Sequence, residues 1–198
     1  MIRRASEMGK KQSKMDPHQL IHLLNRTRFE EKELEKWFQK FIKEYPDGFI
    51  SKPQFESMYQ SFFPKGDARE FADHIFRTFD GNSDGKIDFR EFMVSLSVTT
   101  RGSADQKLEW AFKVYDVDGN GFITRKEMQL IVQSVDKVLN QNGKAYDMSD
   151  KRTDRIFKNF DKNQDGVLSL NEFSEAAKQD PTLSLMLNEA KTGAGKMY

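Results

Sequence analysis

Three twelve-residue stretches of this chain repeat one arrangement of oxygen-bearing side chains around a glycine. They begin at Asp80, Asp116 and Asp161, and each places Asp or Asn at positions 3 and 5, Gly at position 6 and Glu at position 12. This is the spacing of the EF-hand loop, in which six to eight oxygens surround Ca²⁺ and the last glutamate gives two of them. Three matches in one chain predict three calcium sites.

The predicted ligands stand at positions 1, 3, 5, 7, 9 and 12 of each loop. Position 7 binds through its backbone carbonyl, so its side chain is free to vary, and position 9 binds directly or through water. The expected ligands are Asp80, Asn82, Asp84, Lys86, Asp88 and Glu91; Asp116, Asp118, Asn120, Phe122, Thr124 and Glu127; and Asp161, Asn163, Asp165, Val167, Ser169 and Glu172. Mg²⁺ could occupy some loops at low calcium, which the sequence does not decide.

A fourth stretch, residues 43–54, keeps the turn but lacks the ligands of positions 1, 3 and 12. Gly48 stands at position 6, whereas Lys43 and Gln54 replace the first aspartate and the final glutamate. Since lysine offers no oxygen, this hand is predicted to keep its fold without a metal. EF-hands come in pairs, so the predicted fold is all-α, with four EF-hands in two paired lobes and short antiparallel β links between the loops.

The hydrophobic pattern and the turn residues divide the chain. Apolar residues at helical spacing, such as Leu34, Trp37, Phe38 and Phe41, predict helices on both sides of each loop. Asp67 is expected to cap the helix that follows it. The predicted segments are an N-terminal arm (1–24), an N-lobe with the degenerate first hand and the second hand (25–99), a hinge (100–104), a C-lobe with hands three and four (105–181), and a terminal helix with a tail (182–198).

Composition excludes several classes of protein. The formal net charge of +1 does not favour a nucleic-acid partner, and the absence of cysteine removes disulfide and thiolate chemistry. No apolar run approaches the roughly 20 residues that span a bilayer, and the basic N-terminus does not resemble a secretory signal. The histidines form no catalytic set with Ser, Cys or Asp that the sequence supports. A non-enzymatic, cytoplasmic protein is therefore expected.

Several longer motifs connect this chain to a known family. They are Trp37-Phe38-x-x-Phe41, Tyr45-Pro46-x-Gly48, Phe62-Phe63-Pro64-x-Gly66-Asp67, Leu96-Ser-Val-Thr-Thr-Arg-Gly102 and Lys107-Leu-x-Trp110-Ala-Phe. With these motifs the chain, from Met8 to about Leu187, resembles the neuronal calcium sensor family, the group of recoverin, visinin-like proteins, hippocalcin and neurocalcin. The resemblance is strongest to the hippocalcin and neurocalcin branch, in which hands two, three and four bind calcium.

The resemblance implies a calcium switch rather than an enzyme. Calcium would open the helix pairs and expose an apolar groove in the N-lobe, which then binds an amphipathic helix of a target protein or a membrane. The groove implied by the resemblance is lined by Trp37, Phe41, Phe55, Met58, Tyr59, Phe62, Phe63, Phe89, Phe92 and Leu96. Two alternatives remain open: a constitutive regulatory subunit of a channel or phosphatase, and a calcium buffer that barely opens.

The family's acylation signal begins at Met8 rather than at Met1. Myristoylation of Gly9 requires removal of the methionine directly before it, so Gly9 is an acceptor only if Met8 is the initiator. With Met1 as initiator, Gly9 is internal and the first seven residues form an additional basic arm. Acylation would give reversible attachment to the cytoplasmic face of a membrane, strengthened by Lys10, Lys11 and Lys14.

Overall fold

The computed structural model describes residues 14–64, 66–139, 146–180 and 183, which form helices and four very short strands. The elements are α1 (Pro17–Arg26), α2 (Glu31–Glu44), β1 (Phe49–Ser51), α3 (Lys52–Phe62), α4 (Arg69–Phe79), β2 (Lys86–Asp88), α5 (Phe89–Arg101), α6 (Ala104–Tyr115), β3 (Ile123–Thr124), α7 (Arg125–Leu139), α8 (Tyr146–Phe160), β4 (Val167–Leu168) and α9 (Leu170–Gln179). Within the described residues, no helix is long and apolar enough to cross a membrane.

The loops are joined in pairs by antiparallel strands, as the sequence predicts. Strand β1 pairs with β2 so that Ile50 lies opposite Ile87, and β3 pairs with β4 so that Ile123 lies opposite Leu168. These four side chains stand at position 8 of their loops and are fully buried. The predicted fold, four EF-hands in two paired lobes, is confirmed.

The exiting helices begin where the loops end, because the last loop residues also cap them. Ser51 with Gln54, and Ser169 with Glu172, form capping boxes at the start of α3 and α9. Asp88 and Glu91 do the same for α5. The position-12 side chain therefore starts a helix as well as closing a loop.

The N-lobe core is built from aromatic side chains that the helices contribute at helical spacing. Phe89 makes edge-on contacts with Phe38 at 5.2 Å and with Phe41 at 5.3 Å between ring centroids. Phe55 packs edge-on against Phe76 at 5.5 Å. Such pairs stabilise a core beyond the burial of their area, and they hold hands one and two together around the β1–β2 link.

Two local expectations differ from the structure. Ala68, not Asp67, is the N-cap of α4, and Asp67 instead accepts a hydrogen bond from the backbone N–H of Arg69 and pairs with its guanidinium. Helix α5 continues through Arg101, so only Gly102 and Ser103 of the expected hinge region 100–104 lie before α6, which Ser103 caps. Leu183 is buried, and the rest of the expected terminal helix lies outside the described residues.

Candidate metal centres and an apolar groove

Each loop turns at its glycine in the same way. The φ angles of Gly48, Gly85, Gly121 and Gly166 lie between +81° and +88°, the left-handed region that residues with a Cβ rarely adopt. In three loops the N–H of this glycine donates to the first aspartate: Gly85 to Asp80 at 2.9 Å, Gly121 to Asp116 at 2.9 Å and Gly166 to Asp161 at 3.0 Å. The turn therefore directs the position-1 carboxylate into the loop.

The loop from Asp116 to Glu127 brings three carboxylates together. Oxygens of Asp116, Asp118 and Glu127 lie within 4.8 Å of one another, and Asp116 and Glu127 are buried. Like charges at such distances in a partly desolvated site repel one another unless a cation lies between them. A set of hard oxygen donors around a positive-φ turn fits Ca²⁺.

Hydrogen bonds hold the closing glutamates in place. Glu127 accepts from the backbone N–H of Val117 at 2.9 Å and from the N–H and hydroxyl of Thr124 at 2.8 Å and 2.7 Å. Burial alone would raise the pKa of Glu127, but the hydrogen bonds from Thr124, Asp118 and Val117 outweigh it and hold this pKa below its usual value. The protein's own hydrogen bonds thus orient the carboxylate of Glu127 and favour its ionised form.

The other two loops hold their position-12 glutamates in the same way, but the pKa values of these two glutamates shift in opposite directions. Glu172 accepts from the N–H and hydroxyl of Ser169 at 2.9 Å and 2.7 Å, and these bonds outweigh burial and lower its pKa. The pKa of Glu91 is raised, chiefly by burial and also by the carboxylates of Asp88 and Asp80. One oxygen of Asp161 is buried without a hydrogen-bond partner among the described residues, as expected of an atom that ligates a metal.

The degenerate loop keeps the turn with different chemistry. The N–H of Gly48 donates to the carbonyl of Tyr45 at 2.9 Å instead of to a position-1 carboxylate, because Lys43 occupies that position. Gln54 accepts from the N–H of Ser51 at 2.8 Å, the same bond that the glutamates make in the other loops. This loop therefore folds without carboxylates at positions 1, 3 and 12, although Asp47 stands at position 5.

An apolar groove of about 390 Å³ opens on the N-lobe beside this degenerate hand. Its wall contains five of the ten predicted groove residues: Trp37, Phe41, Met58, Phe62 and Phe92. The remaining lining residues are Lys40, Lys43, Glu44 and Tyr45. The lysines and Glu44 follow Trp37 and Phe41 at helical spacing on α2, a signal that predicts neighbours on one helix face.

The other predicted groove residues lie elsewhere in this conformation. Phe55, Tyr59, Phe89 and Leu96 are buried in the N-lobe core, none more than 2% exposed, and Phe63 packs half-buried against it. Helical spacing marks all of these as inward-facing, but it does not separate the core from the wall of a groove. Gly9, the candidate acylation site, lies outside the described residues.

Comparison with known proteins agrees with this architecture. A family model for an EF-hand domain pair matches residues 105–178, and a model for a single EF hand matches residues 71–96. S-modulin of Aquarana catesbeiana is 46% identical over 152 residues, 74% of this chain and 75% of that protein. Human recoverin is 44% identical over 154 residues, 75% of this chain and 77% of that protein. Neuronal calcium sensor 1 of Lymnaea stagnalis is 41% identical over 189 residues, 94% of this chain and 99% of that protein.

The paired helix–loop–helix units and their glycine-centred loops define an EF-hand protein of two lobes. The chain belongs to the neuronal calcium sensor family, because relatives at 41% to 46% identity align with three quarters or nearly all of it. The EF-hands and this membership imply calcium binding. The closer relation to the hippocalcin and neurocalcin branch stays a prediction.

Proposed function

We propose that this protein is a calcium sensor that fills three loops and then binds an amphipathic helix of a target protein in its N-lobe groove. The observation that carries the proposal is the apolar groove itself, which lies on the pair of hands containing the loop at Asp80. A groove lined by aromatic side chains together with Lys40, Lys43 and Glu44 suits a helix with apolar residues at i, i+3, i+4 and i+7.

The three loops supply the proposed calcium ligands, and the protein's own hydrogen bonds position them. In each loop the position-12 glutamate is held at one oxygen by the N–H of position 9, at 3.0 Å in Asp88, 2.8 Å in Thr124 and 2.9 Å in Ser169. Calcium would neutralise the clustered carboxylates of each loop. The proposed affinity is in the sensor range, about 10⁻⁷ to 10⁻⁵ M, with Mg²⁺ as a competitor at low calcium.

Membrane attachment is a proposal that depends on the initiator methionine. If Met8 starts the chain, Gly9 carries a myristoyl group, whose association constant for a bilayer is only about 10⁴ M⁻¹ and therefore permits reversible binding. Such a protein would be cytoplasmic and would visit the cytoplasmic face of membranes. If Met1 starts the chain, the protein acts through its groove alone.

The test compares two charge insertions in the whole protein. Met58→Asp places a carboxylate in the groove, and Leu130→Asp places one on α7, where Leu130 is 41% exposed. The probes are a fluorescent apolar dye and a synthetic helix with apolar residues at i, i+3, i+4 and i+7. We expect calcium to promote binding of both probes, Met58→Asp to weaken peptide binding at least tenfold, and Leu130→Asp to leave it within twofold of the unmodified protein.

Three results would contradict the proposal. Peptide binding that is equal with and without calcium would indicate a constitutive subunit. Calcium binding without any dye or peptide response would indicate a buffer. Equal losses in the two variants would show that the peptide does not use this groove.

A further inference from the structure

Helix α4 belongs to hand two, yet its last turn binds the backbone of hand three. The guanidinium of Arg77 donates to the carbonyls of Val114 at 2.9 Å, Lys113 at 3.2 Å and Val117 at 2.5 Å. The first two carbonyls lie in the last turn of α6, where a helix leaves acceptors unpaired. Val117 is the second residue of the loop Asp116–Glu127. One side chain thus joins α4 to the place where α6 becomes a metal loop.

The electrostatic surroundings of Arg77 agree with this contact. Burial lowers the pKa of its guanidinium, and the carboxylates of Asp116, Glu127 and Asp118 act in the opposite direction. These three carboxylates are the cluster of the Asp116 loop. The positive charge of Arg77 therefore lies within the field of the loop that a calcium ion would enter.

The other end of α4 is tied to the far end of hand three. Just before α4, the backbone N–H of Asp67 donates to the carbonyl of Lys137 at 3.2 Å, in the last turn of α7. Gly66 lies so close to this turn that a Cβ would overlap the carbonyl of Val138. Its φ is not positive, so the contact with α7, not backbone strain, is what requires glycine here.

Because α4 is attached to hand three at both of its ends, a change in the shape of hand three must affect α4. Helices α6 and α7 are its entering and exiting helices, and in sensor hands calcium changes the angle between such helices by about 40°. An α-helix of 11 residues such as α4 is about 16 Å long and does not stretch. It therefore cannot keep both ends bound while the ends of α6 and α7 move relative to each other.

We infer that α4 couples the loop Asp116–Glu127 to the loop Asp80–Glu91, with Arg77 and Gly66 as positioning residues at its two ends. Asp80 follows directly after the last residue of α4, so any shift of α4 moves the first ligand of the second loop. Filling one loop then changes the calcium affinity of the other, and this dependence is reciprocal. The inference rests on calcium binding by these two loops, as proposed above.

The experiment measures this dependence directly in the full chain. The amide of Gly85 hydrogen-bonds to Asp80, and the amide of Gly121 to Asp116, so their NMR shifts report filling of each loop separately. The calcium affinity of the Asp80 loop is measured with and without Glu127→Gln, which removes the bidentate ligand of the other loop. We expect the two affinities to differ at least fivefold, the lower end of typical coupling between sites.

The calcium affinity of the Asp80 loop, with and without Glu127→Gln, is then measured in three further variants of the protein. Arg77→Lys keeps the charge but replaces the two terminal nitrogens, one bound to Val117 and the other to Lys113 and Val114, by a single nitrogen. Gly66→Ala does not change the charge and acts at the opposite end of α4. Both are expected to reduce the fivefold ratio to less than twofold. Lys137→Ala is the control, because it removes the ammonium group that pairs with Glu70 and leaves the Lys137 carbonyl in place. It is expected to keep the ratio.

The outcomes separate this inference from the proposed function. A ratio that is the same in the unmodified, Arg77→Lys and Gly66→Ala backgrounds would overturn the coupling through α4 while leaving calcium sensing intact. A loss with Arg77→Lys but not with Gly66→Ala would also overturn it, since both ties are required. If the NMR shift of the Gly85 amide does not change when calcium is added, both the calcium-binding proposal and the inference are overturned.

Discussion

At position 12, glutamate and glutamine make the same hydrogen bond but differ in what they offer a cation. Gln54 and Glu91 each accept from the N–H of the residue three before them, at 2.8 Å and 3.0 Å. The turn at Gly48 and the pairing of Ile50 with Ile87 persist without carboxylates at positions 1, 3 and 12. The loop fold is therefore specified by the glycine, the cap and the apolar position 8, and the carboxylates are an addition to it.

Restoring two carboxylates to the degenerate loop is not expected to create a calcium site. In a Lys43→Asp, Gln54→Glu double variant, Tyr45 still occupies position 3, where its carbonyl holds the Gly48 N–H at 2.9 Å, and Pro46 fixes the backbone beside it. Titration calorimetry should give the same number of calcium ions for the variant and the unmodified protein. One more binding event in the variant would show that charge alone was missing.

At the scale of elements, an ion pair joins the start of α2 to the end of α5 across the N-lobe. Arg101 donates to both carboxylate oxygens of Glu33, at 2.6 Å and 2.9 Å, and to the carbonyl of Arg28 at 2.8 Å. The guanidinium also lies 4.0 Å from the ring centroid of Phe29. A bidentate, stacked arrangement of this kind is stronger than a single exposed pair.

This pair makes part of the stability depend on pH. The hydrogen bonds from Arg101 and from the N–H of Glu30 lower the pKa of Glu33 from 4.5 to about 2. A lowered folded-state pKa contributes stability above the unfolded value, and this contribution is lost as the pH falls from 4.5 to 2. Since both side chains are more than a third exposed, Glu33→Gln should cost only about 0.5–1 kcal/mol at pH 7.

Urea unfolding at pH 7, 5 and 3 checks this dependence. The deficit of Glu33→Gln should be largest at pH 7 and should shrink at pH 3. Glu35→Gln, a nearby exposed substitution on the same helix, should remain close to the unmodified protein at every pH. A deficit that is constant with pH would assign the effect to packing rather than to the charge of Glu33.

The sequence predicts the loops better than the contacts between helices. Spacing within twelve residues is enough to predict the candidate ligands from Asp80 to Glu91 because they are local, and position 8 predicts the strand pairing, which the structure shows. By contrast, Arg77 lies 36 to 40 residues from its carbonyl partners, and Glu70 lies 67 residues from Lys137. Phe55 and Met58 share a helix, yet only Met58 lines the groove. Helical periodicity identifies the apolar face of a helix, but the packing of the folded protein determines which residues of that face lie in the core and which line the groove.

On the scale of the whole molecule, calcium acts on charge and on stability together. The formal net charge is +1, and three bound dications would add six positive charges, largely cancelling the clustered carboxylates of the loops. A ligand that binds only the folded chain stabilises it in proportion to the logarithm of its concentration. Because α4 contacts both α6 and α7, we expect part of this stabilisation to extend from one lobe to the other.

Calcium should therefore raise the melting temperature, and the rise should increase with the number of loops that bind calcium. At free calcium about 100-fold above the dissociation constant, each site adds about 2.7 kcal/mol, or about 8 kcal/mol for three sites. For a chain of this size that corresponds to a rise of about 15–30 °C over the chelated protein, measured by calorimetry. Glu172→Gln should remove about a third of the rise, because it loses one bidentate ligand, whereas the shares removed by Glu91→Gln and Glu127→Gln should depart from a third by the coupling between their two loops. A variant that keeps the full rise would show that its loop contributes no site, and a rise with all three substitutions combined would place calcium outside these loops.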